Sequence, residues 1–267
     1  MAVRKMIMGR KVGMTQLFSE DGRAIPVTVL EVGPCFIVQR RTKEHDGYEA
    51  VQMGYLPYDE PDIRRAEEMH RLHERRRNNR DADTGKMKER GRIEREPRGP
   101  HTLTLAVYGH FLKHNVTPLR YLKEFRVAAL DDFSQGQEIR ADIFAAGEKV
   151  NVSGTSKGRG FAGTVKKYHF KGGRATHGSM FHRKPASSGA TDAARIFAGA
   201  RRPGHMGDEQ VTVKGLTVIR ADAERNLLVI KGALPGPIGG LVVVTMPESK
   251  TIERGKGRTV TFTALEK

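Results

Sequence analysis

Residues 14–32 read MTQLFSEDGRAIPVTVLEV, and they decide the fold because they describe a β-hairpin. Strand-forming residues predominate in 14–18 and again in 25–32. The pair Asp21-Gly22 between them is a strong hairpin signal. The second run ends at Gly33-Pro34. The chain is therefore predicted to begin as antiparallel sheet.

Strand-like runs recur on both sides of the middle of the chain. They are 36–40, 48–55, 125–127, 149–152, 210–213, 216–220, 227–230 and 241–244. Short strands separated by glycine-containing turns predict a mainly β fold, either a small barrel or a sandwich. We expect the amino-terminal half and the carboxy-terminal segment to close one barrel, with 125–127 and 149–152 pairing in the same sheet.

Residues 153–207 interrupt this strand pattern. They hold eleven Lys and Arg residues but one acid, Asp192, together with 11 of the chain's 30 glycines and four of its 10 histidines. So few aliphatic residues cannot bury enough apolar surface to offset the entropy of ordering the backbone. A long excursion without periodicity is functional or disordered. This segment is therefore either disordered or ordered by a polyanion.

A second irregular stretch, 59–101, has a different charge balance. It contains 13 Lys and Arg residues and 11 Asp and Glu residues. Residues 63–75 are rich in helix formers, with only a narrow apolar stripe. We predict a solvated helix followed by a loop. Residues from Pro247 onward are polar and predict a tail.

The whole chain of 267 residues has a formal net charge of +16 and a pI near 10.1. Clustered positive charge indicates a nucleic-acid partner more than solubility alone. The single cysteine, Cys35, is expected to be buried in a reducing compartment. No apolar run is long enough for a signal peptide or a membrane span. These features predict a cytosolic protein.

Two motifs in the excursion invite other functions. Residues 158–163 match the G-x-G-x-x-G motif of dinucleotide-binding sites. Such a site also needs a helix directly after the motif and an acidic residue further on. Here 164–168 shows no amphipathic helix and no acidic residue lies between Val150 and Asp192, so the dinucleotide interpretation is weak. The four histidines have no metal-site spacing and no cysteine partner. No Ser-His-acid cluster stands out. We expect no catalytic residue, no metal and no cofactor.

Five aromatic residues of the excursion have two interpretations that the sequence leaves open. They either stack on unpaired bases or pack against one another. They are Phe161, Tyr168, Phe170, Phe181 and Phe197.

Several blocks resemble one known family. GTSKGRGFAGT at 154–164, THGS at 176–179, FHR at 181–183, GDEQVTV at 207–213 and DAERNLL at 222–228 are similar to the bacterial form of the third large-subunit ribosomal protein. GRKVGMTQ at 9–16 and GYEAVQ at 47–52 resemble it too. The resemblance covers most of the chain outside 57–103 and the tail.

The resemblance implies a six-stranded barrel of the translation-protein type on the surface of the large subunit. It also implies an extension that threads through large-subunit (23S-type) rRNA toward the peptidyl-transferase centre, early rRNA binding in assembly and no enzymatic activity. Implied neighbours are the fourteenth and nineteenth large-subunit proteins. Some relatives carry a methylated glutamine near the tip, where this chain has Gly189-Ala190. The residues expected to contact rRNA are Lys157, Arg159, Phe161, Lys166, Lys167, His169, Lys171, Arg174, His177, His182, Arg183, Lys184, Arg195, Arg201, Arg202 and His205.

The expected organisation has four units. The β-barrel comprises 1–56, 104–152 and 208–246, with a partly helical charged insertion at 57–103, an irregular basic extension at 153–207 and a polar tail at 247–267. Expected partners are large-subunit rRNA and neighbouring ribosomal proteins, without a membrane or a small-molecule substrate, in the cytoplasmic ribosome. The alternative is a free basic nucleic-acid chaperone or DNA-compacting protein.

Overall fold

The structure, a computed structural model, describes residues 3–82, 103–127, 129–185 and 187–247. The strands in these ranges are β1 Val3–Phe18, β2 Ala24–Val32, β3 Cys35–Arg41, β4 Ala50–Pro57, β5 Leu119–Arg126, β6 Glu138–Ile139, β7 Lys149–Thr155, β8 Phe161–Ala162, β9 Gly204–His205, β10 Gln210–Asp222, β11 Leu227–Lys231 and β12 Leu241–Pro247. The α-helices are α1 Lys43–Asp46, α2 Glu60–Ala82, α3 Leu105–Lys113 and α4 Thr164–Tyr168. Short 3₁₀ turns cover Ala141–Ile143 and Thr191–Ala193.

Six strands close a barrel in the order β1-β12-β7-β10-β11-β2, and every pairing is antiparallel. The hairpin predicted at 14–32 is confirmed as β1 and β2. Its turn places Gly22 at a φ of 75° and lets Gly22 N donate to Ser19 O at 2.9 Å. Glycine adopts this left-handed conformation without strain, which explains the Asp-Gly signal.

The expectation of a single sheet was wrong for three predicted strands. Those at 36–40, 48–55 and 125–127 became β3, β4 and β5, which join β6 in a separate four-stranded sheet of order β5-β4-β3-β6. The prediction for 149–152 is confirmed, because β7 lies in the barrel between β12 and β10. Alternating polarity identifies a strand, but its partner depends on packing between distant residues.

The two strands predicted at 210–213 and 216–220 are one continuous strand, β10. Its register with β7 shifts between Val213 and Leu216, where Gly215 has a φ of 71°. A β-bulge therefore lies between the two predicted strands. A polar turn follows β10, where Arg225 N donates to Asp222 Oδ1 at 3.2 Å.

The core is continuous between the barrel and the second sheet. Ile7, Leu30 and Ile230 of the barrel are fully buried, and Ile37 and Met53 of the second sheet belong to the same cluster. Burying each such side chain contributes about 1.5–3 kcal/mol. The expected burial of Cys35 is confirmed, and that burial raises the pKa of its thiol to about 12.

The helix predicted at 63–75 is confirmed and lies within the longer α2. The amino-terminal part of α2 packs in a small hydrophobic core of its own. Ala66 of α2 packs with Leu103 and with Tyr108 of α3. Phe111 on α3 packs with Val38 of the second sheet. α3 thereby connects the amino-terminal part of the insertion to the four-stranded sheet. The loop predicted after α2 and the tail after β12 lie outside the described residues.

Candidate nucleic-acid interface

The extension leaves the barrel as a two-stranded stalk. β7 and β10 are neighbours in the barrel, and their hydrogen bonding continues beyond it. Ser156 N donates to Glu209 O at 2.9 Å, and Arg159 N donates to Met206 O at 2.8 Å. β8 and β9 continue the stalk through two residue pairs. The barrel strands therefore set the direction in which the extension starts.

Gly207 allows the two sides of the stalk to approach closely. Its φ is 76°, and a Cβ at this position would lie 2.2 Å from Lys157 O. Any larger residue would combine backbone strain with a collision against backbone, so only glycine fits. The glycine-rich composition of the segment has a structural role at this point.

The sequence shows no amphipathic helix at 164–168, but a five-residue helix forms there. α4 follows at once, with Lys167 N donating to Gly163 O at 2.9 Å, and it ends at His169 in the left-handed region with a φ of 59°. Its five residues are too few to display a helical period, so the sequence pattern did not reveal it. The motif still lacks the acidic residue that a dinucleotide site requires.

Beyond α4 the chain folds back on itself. Gly173 N donates to both Phe181 O, at 3.2 Å, and His182 O, at 3.1 Å. The Nδ1 of His182 lies 2.9 Å from Arg174 O and donates to it. Backbone bonds thus give this part a defined shape, while its side chains remain at the surface.

The aromatic residues divide between the two interpretations. Tyr168 and Phe170 pack together with ring centroids 6.2 Å apart. Phe161, Phe181 and Phe197 are 80%, 60% and 58% exposed. Exposed aromatic faces in a cationic segment are suited to base stacking.

Lysine and arginine side chains contact two of these rings. Lys167 Nζ lies 5.3 Å and Arg201 Cζ 5.6 Å from the ring centroid of Tyr168. Arg195 Cζ lies 5.1 Å from that of Phe197. These contacts hold long side chains in place beside aromatic surface.

The sixteen predicted contact residues lie almost entirely at the surface. All are exposed except Lys167 and Arg202, which are half-buried. None of their Lys and Arg side chains forms a salt bridge within the described ranges. From 158 to 201 only Ala162 and Thr164 are buried among the residues described. The structure thus places cationic side chains that form no salt bridge within the described ranges on a segment with almost no core.

The structure adds Lys11, which the sequence interpretation missed. Lys11 belongs to β1, is 7% exposed, and donates from Nζ to Leu234 O at 2.9 Å and Gly236 O at 3.3 Å. Burial and, to a lesser degree, the nearby charge of Lys157 lower its pKa. A lysine in a strand is usually solvated, so no sequence signal marked it.

Two other features are absent from the described ranges. No group of three or more His, Cys, Asp or Glu side chains there is placed to hold a metal ion. None of the helices there is long and apolar enough to cross a bilayer.

A closed antiparallel barrel with an unpaired cationic extension and exposed aromatic residues is typical of a nucleic-acid-binding protein. Comparison with known proteins narrows this class. The family model for ribosomal protein L3 matches residues 123–227. "Large ribosomal subunit protein uL3" from Pelotomaculum thermopropionicum is 47% identical over 240 residues, which cover 90% of this chain and 95% of that protein. The same-named protein from Carboxydothermus hydrogenoformans is 45% identical, with 90% and 96% coverage.

The chain belongs to the ribosomal protein L3 family. The resemblance noted from its sequence blocks is therefore confirmed, and so is the barrel that it implied. Membership of this family makes the chain a component of the cytoplasmic ribosome.

Proposed function

We propose that the chain is a structural constituent of the large ribosomal subunit that binds 23S-type rRNA directly through its extension. One observation carries this proposal. Eleven Lys and Arg side chains, none in a salt bridge within the described ranges, lie on a segment from 153 to 207 that has one acid and almost no buried residues among those described. Ordering each residue costs about 1–2 kcal/mol, and a segment without a core needs a partner to supply that free energy.

The chemistry of the extension fits rRNA in two ways. Its cations neutralise phosphates and release counterions, which gives affinity without sequence specificity. Its exposed rings, Phe161, Phe181 and Phe197, offer surfaces on which unpaired bases stack. Folded rRNA presents phosphates and unpaired bases close together, so one segment can use both kinds of contact.

The finer functions belong to the same proposal. The extension reaches toward the peptidyl-transferase centre, the chain binds rRNA early in assembly, and it has no enzymatic activity. The barrel faces neighbouring proteins, the fourteenth and nineteenth of the large subunit. The stalk supports a directed extension, because the barrel ladder continues into it through Ser156 and Arg159.

Co-sedimentation tests this function against a free nucleic-acid chaperone. Tagged full-length chain expressed in a bacterium is expected to sediment with large subunits at one copy each and to stay there through a high-salt wash. An extension enclosed by rRNA cannot leave without opening the subunit, whereas a surface-bound basic protein loses its phosphate contacts as salt rises. Recovery of the chain in the wash, with subunits intact, would identify a chaperone instead.

A further inference from the structure

The hairpin formed by β1 and β2 extends beyond the barrel. β1 pairs with β12 as far as Arg10, whereas its pairing with β2 continues to Phe18. Lys11 still contacts the residue before β12, because Lys11 N donates to Gly240 O at 3.0 Å. Over 12–18, β1 therefore has β2 on one side and no strand of the described ranges on the other. We call this open side of 12–18 the arm edge.

The turn of the hairpin fixes which backbone groups point toward the arm edge. Ser19 N donates to Arg23 O at 3.0 Å, so Ser19 directs its backbone groups toward β2. Hydrogen-bonded and non-hydrogen-bonded pairs alternate along an antiparallel ladder. The register then leaves the N–H and C=O groups of Met14, Gln16 and Phe18 directed toward the open side. These groups can pair with a further strand.

The arm edge lacks two features that usually protect a free strand edge. Charged side chains and proline prevent edge-to-edge pairing in many sheets. Residues 12–18 read VGMTQLF and contain neither. On the other side of the hairpin, Pro26 follows the last pairing of β2 with β11 and has no N–H to offer. One side of the hairpin is thus closed to a further strand, and the other is open.

Apolar side chains along the arm edge are exposed. Val12, Met14 and Phe18 are 48%, 52% and 68% exposed. Met14 and Phe18 lie on one face of β1, because side chains alternate along a strand and these two are four residues apart. In β-strand addition, backbone hydrogen bonds supply affinity and alternate side chains supply specificity. The arm edge offers both kinds of contact.

The charge of the hairpin favours a protein partner over a nucleic acid. Residues 12–29 contain Glu20, Asp21 and a single cation, Arg23, in a chain whose net charge is +16. Contacts to phosphate need cations, and 12–22 contain none. A second copy of this chain is also disfavoured, because two chains of this charge repel each other. A polypeptide with basic residues beside Glu20 and Asp21 complements the hairpin.

We propose that the arm edge is a docking site that receives one extended segment of another protein as an added β-strand. The segment has alternating apolar residues that cover Met14 and Phe18, with basic residues at the end that lies beside Glu20 and Asp21. This inference goes beyond the proposed function, in which the barrel faces other proteins but no surface is assigned to them.

Photo-crosslinking in living bacteria tests the arm edge in the full-length chain. p-Benzoylphenylalanine replaces Phe18, which keeps an aromatic ring at this exposed position, and mass spectrometry identifies the crosslinked peptides. The variant Q16P removes one N–H from the arm edge, whereas its control Q16A keeps that N–H and shortens the same side chain. We expect Q16P to lower the yield of the protein crosslink at least about fivefold and Q16A to stay within about twofold of the parent.

A lysine at position 14 gives a second readout that does not depend on the strand accepting proline. Met14 is 52% exposed, so Met14→Lys leaves the fold intact. The new charge would lie where the apolar residues of the added strand pack, and burying it there is unfavourable. We expect Met14→Lys to lower the crosslink yield at least about fivefold as well.

The crosslinks decide the proposal in every case. Parental yield in Met14→Lys, or in a Q16P variant whose thermal transition matches that of Q16A, would overturn it. The absence of any protein crosslink, or crosslinks confined to rRNA or to a second copy of this chain, would overturn it as well. Because irradiation is carried out in intact cells, this readout is independent of co-sedimentation. A chain absent from large subunits would refute the proposed function, whereas the docking site would still stand or fall by its crosslinks.

Discussion

Replacing residues 158–206 by a short glycine linker is expected to leave a folded barrel that binds rRNA at least about three orders of magnitude more weakly than the full chain. A protein engaging roughly 6–10 phosphates has a salt slope of about −4 to −9 on the scales for single strands and duplexes. Removing ten of the extension's eleven Lys and Arg residues should bring that slope much closer to zero. Filter binding across a salt series measures both quantities.

The stalk geometry makes this deletion feasible. Lys157 and Gly207 face each other so closely that a Cβ on Gly207 would lie 2.2 Å from Lys157 O. A linker of a few residues can therefore join them without disturbing the pairing of β7 with β10. Circular dichroism and a cooperative thermal transition would establish that the shortened chain is folded. A folded variant with wild-type affinity and slope would show that the barrel is the main anchor.

Truncating one barrel side chain is expected to have a large effect on stability, while the same truncation in the extension has almost none. Ile230 is fully buried in the barrel core, and Ile196 in the extension is 56% exposed. Ile230→Ala should lower the free energy of unfolding by about 2–5 kcal/mol because it removes packed methyl groups and leaves a cavity. Ile196→Ala should change it by less than about 0.5 kcal/mol.

Chemical denaturation of the free protein measures this contrast. The two variants remove the same atoms, so the difference between their losses of unfolding free energy reports how tightly each isoleucine is packed. A cost above about 2 kcal/mol for Ile196→Ala would mean that the extension has a core of its own in the free protein. Ordering of the extension would then no longer require rRNA as a partner.

The sequence predicted local features, such as hairpins and segments without a core, better than it predicted which strands pair with one another. The hairpin at 14–32 depends on neighbouring residues, and the lack of a core in 153–207 follows from the scarcity of aliphatic residues in that segment. Both features could therefore be predicted from the sequence alone. The placement of 36–40 and 125–127 in a second sheet depends on contacts between distant segments. α4 was missed because five residues are too few to show a period.

Lys11 shows the same limit within the candidate site. Its burial depends on the loop that carries Leu234 and Gly236, more than 200 residues away along the chain. A lysine beside Gly9 and Arg10 looks like a solvated strand position in the sequence. The exposed cations were predictable because charge and exposure go together, whereas a buried cation requires the folded partner to be known.

Cryo-EM of large subunits that contain this chain would show whether rRNA orders residues 153–207. We predict continuous density for the extension inside rRNA, with the side chains of Lys157, Arg174 and Arg183 within salt-bridge distance of phosphate oxygens. Density for the barrel alone, or an extension lying in solvent away from rRNA, would show that rRNA does not order the extension.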